Sequence, residues 1–341
     1  MNPKIAGALI ISLLSGVAVA VLAALPPAAA QQPRQQPPRP EVSSQEKKAP
    51  GREIYYGRPA PRGAYPFMVA LIGAEADSTE EGMRSKHFCG GSLIRDRWVL
   101  TAAHCVREEK NDEERLFEAA EINVYVGSVE FKGGQRIKVS RIVRHPSYDA
   151  KSADSDLALL ELAQAPSPGS TSIITLITPA TEKTYGIPGK PVIAAGWGET
   201  ETGDFPKSLL QVSLDIVEVS TCNVNVVSYR RRQFLDHQFD ELREKLALNE
   251  DSAVKMRELM QSTPGAAVTE NMLCTTKFAT KRDTCVGDSG GPLFAEVSRG
   301  RFIQVGITSW SEGGCGMTEH GLFGVYTRVA RFTDWIEKNA R

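Results

Sequence analysis

The hydrophobic residues of this chain change rhythm along its length. From Ile5 to Leu25 they are almost continuous, and from residue 31 to 53, "QQPRQQPPRPEVSSQEKKAPGRE", they nearly vanish. From Ile54 onward, short apolar runs alternate with Gly, Pro, Asn and Asp. Among these runs are "FMVALI", "INVYVGSV", "DLALLEL", "PVIAAGW", "LLQVSLDIV" and "RFIQVGITSW". Many short strands at that spacing predict an all-β barrel or sandwich. Two stretches keep a helical period instead. Within 228–262, Leu235, Phe239, Leu242 and Leu246 recur at i, i+4, i+7 and i+11, one face of a helix. "NEDSAVKMRELMQ" predicts a second helix, capped by Asn249 or Ser252 and stopped before Pro264-Gly265. Together they read as a helical hairpin inserted in a β domain, either packed on it as decoration or fencing a cleft. The closing "RFTDWIEKNAR" predicts an amphipathic C-terminal helix with Phe332, Trp335 and Ile336 on one face.

The N-terminal pattern carries targeting information. One lysine, an apolar run and an A-x-A arrangement at Ala28 and Ala30 make residues 1–30 a secretory signal peptide cut before Gln31. An uncleaved membrane anchor is the alternative, since the run is long enough to span a bilayer. Both place the remainder outside the cytoplasm, secreted or periplasmic. Residues 31–53 form a Pro/Gln-rich leader or propeptide, extended or disordered, and one domain occupies 54–341. The 41% hydrophobic content supports a sizeable core. A net charge of −1 leaves no overall field for nucleic acid.

Export gives the six cysteines meaning. An even number in an exported chain predicts three disulfides, although spacing alone cannot choose the pairing. There is no Cys-x-x-Cys and histidines are few, which argues against zinc. No cofactor is expected.

Three strings carry candidate chemistry: "LTAAHC" (Leu100–Cys105), "SDLALLEL" (Ser155–Leu162) and "DTCVGDSGGPLF" (Asp283–Phe294). A serine hydroxyl is a poor nucleophile at neutral pH. It needs a base within hydrogen-bond reach, and the base needs an orienting partner. His104, Asp156 and Ser289 are those residue types. Taken singly, each has a plainer reading: a core histidine near a disulfide, a strand-capping acid, a hydroxyl in a Gly-rich turn.

The strings do not stand singly. "FCGGSLI" (Phe88–Ile94), "GWG" (Gly196–Gly198), "NMLC" (Asn271–Cys274), "SW" (Ser309-Trp310) and "GVYTRV" (Gly324–Val329) accompany them. With these, residues 54–341 resemble the chymotrypsin-like serine peptidases of the trypsin type. The resemblance implies two antiparallel six-stranded Greek-key β-barrels with the active site between them. It makes Ser289 the nucleophile, His104 the general base and Asp156 the residue that fixes the imidazole, with the N–H groups of Gly287 and Ser289 as the oxyanion hole. It also implies the disulfides Cys89–Cys105, Cys222–Cys274 and Cys285–Cys315.

The same resemblance puts Asp283 at the floor of the pocket for the residue before the scissile bond. Ser309, Trp310, Ser311 and Gly324 would line the substrate cleft. A buried carboxylate there calls for Arg or Lys, so the expected partner is a peptide or protein with a basic residue at that position. Ser311 stands where the trypsin type has glycine and is expected to narrow the entrance. Two acidic loops, Gly73–Lys86 and Val106–Glu121, fall beside the leaving-group side of the cleft, where they either favour basic residues after the scissile bond or are solvated decoration. The loop around Gly127–Arg136, where the family binds calcium, holds one acid, Glu130, and no metal is expected there.

Activation is where the pattern departs from the family. A new ammonium on Ile54 would pair with Asp288, but Glu53 precedes Ile54 and Tyr56 replaces a usual glycine. Three routes stay open: cleavage by a Glu-directed peptidase, cleavage after Arg52 with trimming of Glu53, or competence without clipping. Two other classes also stay open. One is a non-catalytic binding protein on this fold, and the other a zymogen-like protein that depends on a protein partner or inhibitor.

Overall fold

The structure, a computed structural model, describes residues 54–110, 113–263, 265–317 and 321–341. The expected signal peptide and leader, with Glu53, lie outside the described residues. Among the described residues no helix is long and apolar enough to cross a membrane.

The apolar runs form two rings of strands. The first contains β1 (Met68–Gly73), β2 (His87–Arg95), β3 (Trp98–Thr101), β4 (Ile122–Val126), β5 (Gln135–Arg144) and β6 (Ala158–Leu162). They close in the order β1-β2-β3-β6-β5-β4. The second contains β7 (Pro191–Gly196), β8 (Leu210–Val217), β9 (Met272–Thr276), β10 (Pro292–Ser298), β11 (Arg301–Ser311) and β12 (Gly324–Arg328). Its order is β7-β8-β9-β12-β11-β10, with β10 back on β7. The two halves therefore repeat one winding, and every pairing within the rings is antiparallel. Closure removes the sheet edges that an open sheet would expose.

The burial pattern explains why these segments are strands. In β5, Ile137 and Val139 point into the core while Lys138 faces solvent, a period of two. In β1 and β3 almost every position is buried, because their outer faces are covered too. The barrels are joined by an aromatic cluster in which Phe294 of β10 stands 4.9 Å from Tyr65 and 5.2 Å from Phe67, measured between ring centroids. A buried hydrogen bond also crosses, from Ser92 Oγ of β2 to Gln304 Oε1 of β11 at 2.6 Å.

Helices lie outside the rings: α1 (Glu80–Ser85), α2 (Pro179–Tyr185), the inserted α3 (Val219–His237), α4 (Phe239–Lys245) and α5 (Glu250–Ser262), and the C-terminal α6 (Thr333–Asn339). The insertion starts at Val219 rather than at 228, and it is three helices rather than a hairpin. The expected continuous face breaks at Gln238, which leaves helical geometry at φ −124° and ψ −18°. Leu235 and Phe239 are buried together with Ala253 of α5, in a small cluster of their own. Leu246 ends α4 and is exposed. Asn249 caps α5 as expected, accepting from Ser252 N at 2.9 Å.

The root of the insertion is tied to the second barrel by Cys222–Cys274. Asn223 adds to this: its Oδ1 accepts from Ala267 N and Val268 N, and its Nδ2 donates to Val268 O. The other two disulfides are Cys89–Cys105 and Cys285–Cys315. Each such bridge contributes ~2–4 kcal/mol, more for the longer loop.

Gln304 is fully buried and its amide also donates to Gly306 O. Replacing it with alanine strands the Ser92 hydroxyl between the barrels. Urea unfolding of Gln304→Ala should show stability lowered by ~1–3 kcal/mol with an unchanged m-value. A loss below a few tenths would mean that this cross-link does not hold the barrels together.

Candidate active site

Asp156 lies just ahead of β6 and is fully buried. The residue before it, Ser155, takes a left-handed backbone, φ 56°, a conformation that side chains disfavour and that recurs at functional sites. Each oxygen of the Asp156 carboxylate has its own donor. Oδ1 accepts from His104 N at 2.9 Å and Oδ2 faces His104 Nδ1 at 2.7 Å. Ser309 Oγ of β11 donates to Oδ2 at 2.5 Å, and Thr327 Oγ1 of β12 donates to the Asp156 carbonyl at 2.7 Å. Burial pushes the Asp156 carboxyl up, but electrostatic attraction to the His104 ring and the hydrogen bonds from His104 and Ser309 outweigh it and hold the group below its ordinary value. An ionised carboxylate only accepts hydrogen bonds. Nδ1 must then carry the ring proton, which leaves Nε2 as an acceptor.

His104 opens a short 3-10 turn, His104–Val106, after β3, and Cys105 next to it is pinned to β2 by its disulfide. Nε2 stands 3.8 Å from Cys105 Sγ. Ser289 enters from the second barrel, its carbonyl accepting from Gly90 N of β2 at 2.7 Å. A Cβ on Gly90 would come within 3.0 Å of Gly291 Cα, so the loop that carries Ser289 sits directly on that strand. The structure thus joins His104 to Asp156 but forms no hydrogen bond from Ser289 Oγ to Nε2.

The turn that carries Ser289 is held by Asp288. Its two oxygens accept from Gly198 N at 2.8 Å and Cys285 N at 2.9 Å. The carboxylate lies so close to "GWG" that a Cβ on Gly198 would fall 2.5 Å from Asp288 Cγ. Gly287 has φ 92°, which glycine adopts without cost. Among the described residues, no protein acceptor takes the N–H of Gly287 or of Ser289. Phe205 lies against this turn: a Cβ on Gly287 would come 3.0 Å from its ring, and its carbonyl accepts from Arg84 of α1 at 3.0 Å.

Asp283 is 2% exposed. Thr284 N donates to its Oδ1 at 2.8 Å, and Gly324 packs so closely that a Cβ there would lie 3.0 Å from the same oxygen. No cation of the described residues reaches it. Burial raises its carboxyl to about 7; backbone N–H groups of Thr284 and Gly316 pull it down and the nearby Asp288 pushes it up. Burial likewise raises Asp288 to about 6. Ile54 is fully buried, Tyr55 O accepts from Asp283 N at 3.2 Å, and Tyr56 takes φ 60°, the strain expected where glycine is absent. Ser311 and Gly324 face each other across the β11–β12 ladder, and Ser311 is half-buried.

Both acidic loops take positive partners. Lys86 pairs with Glu75 and Arg84 with Glu81, while Arg115 binds both Glu108 and Glu121. From outside the loops, Arg144 reaches Glu114, and Arg136 caps the carbonyls of Ala74 and Ala76.

Several contacts at the site carried no sequence signal. Phe205 comes from a turn-like stretch. His87 is buried, and burial lowers its pKa to about 4 against a smaller opposing effect of the Cys89 backbone. The hydroxyl of Thr284 faces that of Tyr326 at 3.3 Å. Arg230 of α3 stacks on Trp310.

Comparison with known proteins agrees with this geometry. The trypsin family model matches residues 54–336. Rat transmembrane protease serine 9 is 31% identical over 290 residues, covering 83% of this chain and 22% of that protein. Trypsin Blo t 3 of Blomia tropicalis is 29% identical, covering 83% of this chain and 85% of its own. Mouse mannan-binding lectin serine protease 1 is 28% identical, covering 84% of this chain and 35% of its own. The chain spans well under half of two of these relatives and most of the third. It belongs to the trypsin family of serine peptidases, and residues 54–336 are its family domain.

The raised Asp283 carboxyl has a signed consequence. The folded protein holds this proton where the unfolded chain has released it. The associated stability is present below 3.8 and is lost as pH rises through about 7. Asp283→Asn removes that dependence. The melting temperature of the variant, relative to the parent, should climb between pH 4 and 7 and be flat outside that window. A flat difference throughout would place the carboxyl near its ordinary value.

Proposed function

We propose that the protein is a serine endopeptidase that hydrolyses peptide bonds after Arg or Lys. The observation that carries it is the commitment of His104 Nδ1 to a buried, ionised Asp156, which leaves Nε2 as the base beside the Ser289 turn. In this reading substrate binding completes the Ser289–His104 hydrogen bond, since catalytic contacts commonly tighten only in the complex. Nε2 takes the Ser289 proton as Oγ attacks the scissile carbonyl. The carbonyl oxygen, now charged, is received by the free N–H groups of Gly287 and Ser289. Each such donor is worth ~3–4 kcal/mol of transition-state stabilisation. His104 then gives its proton to the leaving amine, and water repeats the sequence on the acyl-enzyme.

Asp283 supports the choice of a basic residue. It is a buried carboxylate without a countercharge, and an arginine fork or lysine ammonium would supply one and return its pKa toward the ordinary range. Gly324 beside it leaves room for a long side chain. Ser309, Trp310 and Ser311 would line the approach, and we do not extend specificity to the leaving-group side.

For activation we propose release of Ile54, whose new ammonium would neutralise Asp288. The support is that Asp288 is buried with only two backbone N–H groups and that Ile54 already lies buried. Three paired disulfides fit an oxidising compartment, and we propose that the protein is secreted or periplasmic.

Turnover of a peptide amide with arginine before the scissile bond tests the reading. Ser289→Ala and His104→Ala should each lower kcat by about a million-fold, and the double variant little further, because the two act as a unit. Activity surviving in Ser289→Ala would refute the mechanism. N-terminal sequencing of the active form should find Ile54 first; full activity with an intact leader would remove the Asp288 pairing from activation.

A further inference from the structure

The end of β11 offers a free edge. Trp310 and Ser311 pair with Val325 and Gly324 of β12 on one side. On the other, pairing with β10 stops at Ile307. Ser309 sits on Asp156, and Gly324 sits on Asp283. Under the peptidase reading above, on which this inference rests, an extended substrate adds to that edge. The residues before its basic side chain then pass Trp310.

Trp310 is not a bare platform. The Arg230 guanidinium of α3 lies over its ring, 5.3 Å from the centroid. Arg230 Nε donates to Glu312 Oε2 at 2.7 Å. The Arg230 side chain is 50% exposed while Glu312 is 17% exposed, so the acid is the buried anchor and the arginine the exposed cover. The helix itself is fixed along this wall. Asn225 Nδ2 donates to Gly321 O at 2.8 Å, and the Tyr229 hydroxyl lies 3.0 Å from where a Cβ on Gly313 would be. With Cys222–Cys274 at its root, α3 presents Arg230 from a rigid support.

We propose that Arg230 is a specificity-determining residue that covers Trp310 and selects against large apolar side chains in the two to four residues before the scissile bond. An aromatic or branched aliphatic side chain reaches the indole face only by displacing the guanidinium, which gives up both its ring contact and its pairing with Glu312. A polar or acidic side chain displaces nothing. The two terminal NH2 groups of Arg230 have no protein acceptor among the described residues, and they can donate to it. The inserted helices thus act on substrate choice through one side chain.

The test uses the active form of the protein, with Ile54 as its first residue, and peptide libraries with arginine before the scissile bond and the three preceding positions varied. Each profile is divided by the same variant's turnover of a small arginine ester, which lacks those positions. The parent should prefer Asp, Glu, Asn or Gln over Phe and Leu in one of them. Arg230→Ala should shift that ratio toward Phe and Leu by about tenfold, the scale that one apolar contact supplies. Glu312→Gln frees the guanidinium without deleting it and should shift the ratio the same way by less; it also serves if the alanine variant does not fold. An unchanged ratio in both variants, with the ester turned over, overturns the role of Arg230 alone. Failure of the parent to cleave the ester overturns the peptidase reading and this inference with it.

Discussion

Asp156 is where the two barrels become one site. It precedes the last strand of the first barrel, yet a serine and a threonine of the second barrel bond it, one at the carboxylate and one at the carbonyl. Its remaining capacity goes to the backbone and ring of His104. A carboxylate this deeply buried would be expensive without such partners. The relative placement of the barrels and the orientation of the imidazole are therefore set by the same hydrogen bonds. A disturbance of the barrel contact reaches the imidazole directly.

Three buried aspartates illustrate how environment divides one residue type into different tasks. Asp156 has the His104 ring and further donors against it, and it stays ionised. Asp288 has two backbone donors and is raised to about 6, while Asp283 has backbone donors and a like-charged neighbour and is raised to about 7. The last two lack a countercharge within the described residues. The activation and substrate roles proposed for Asp288 and Asp283 would each supply the missing positive charge.

Much of this was legible in the amino-acid sequence, and the reasons differ by element. The strands were readable because a barrel imposes period-two burial on short segments such as β5. The joining of His104 to Asp156 was readable because each sits in a long, specific string. The pairing of cysteines came only through the family resemblance, since spacing does not encode it. The break at Gln238 was not readable: neither glycine nor proline marks it, and it arises from α5 folding back so that Leu235, Phe239 and Ala253 can pack. Arg230 and Phe205 were invisible for a related reason. Each lies in a segment of ordinary composition and acquires meaning from a neighbour about eighty residues away in the chain.

The identical winding of the two barrels has a consequence in time. The first barrel closes with strands from residues 68–162, and that stretch contains His104 and Asp156. The serine belongs to the second winding, whose strands come later in the chain. The strands of the first winding leave the ribosome before those of the second, and folding units generally form in chain order. Chain order thus acts as a delay: the surroundings of Asp156 are complete only after β12 has emerged and Thr327 can reach its carbonyl.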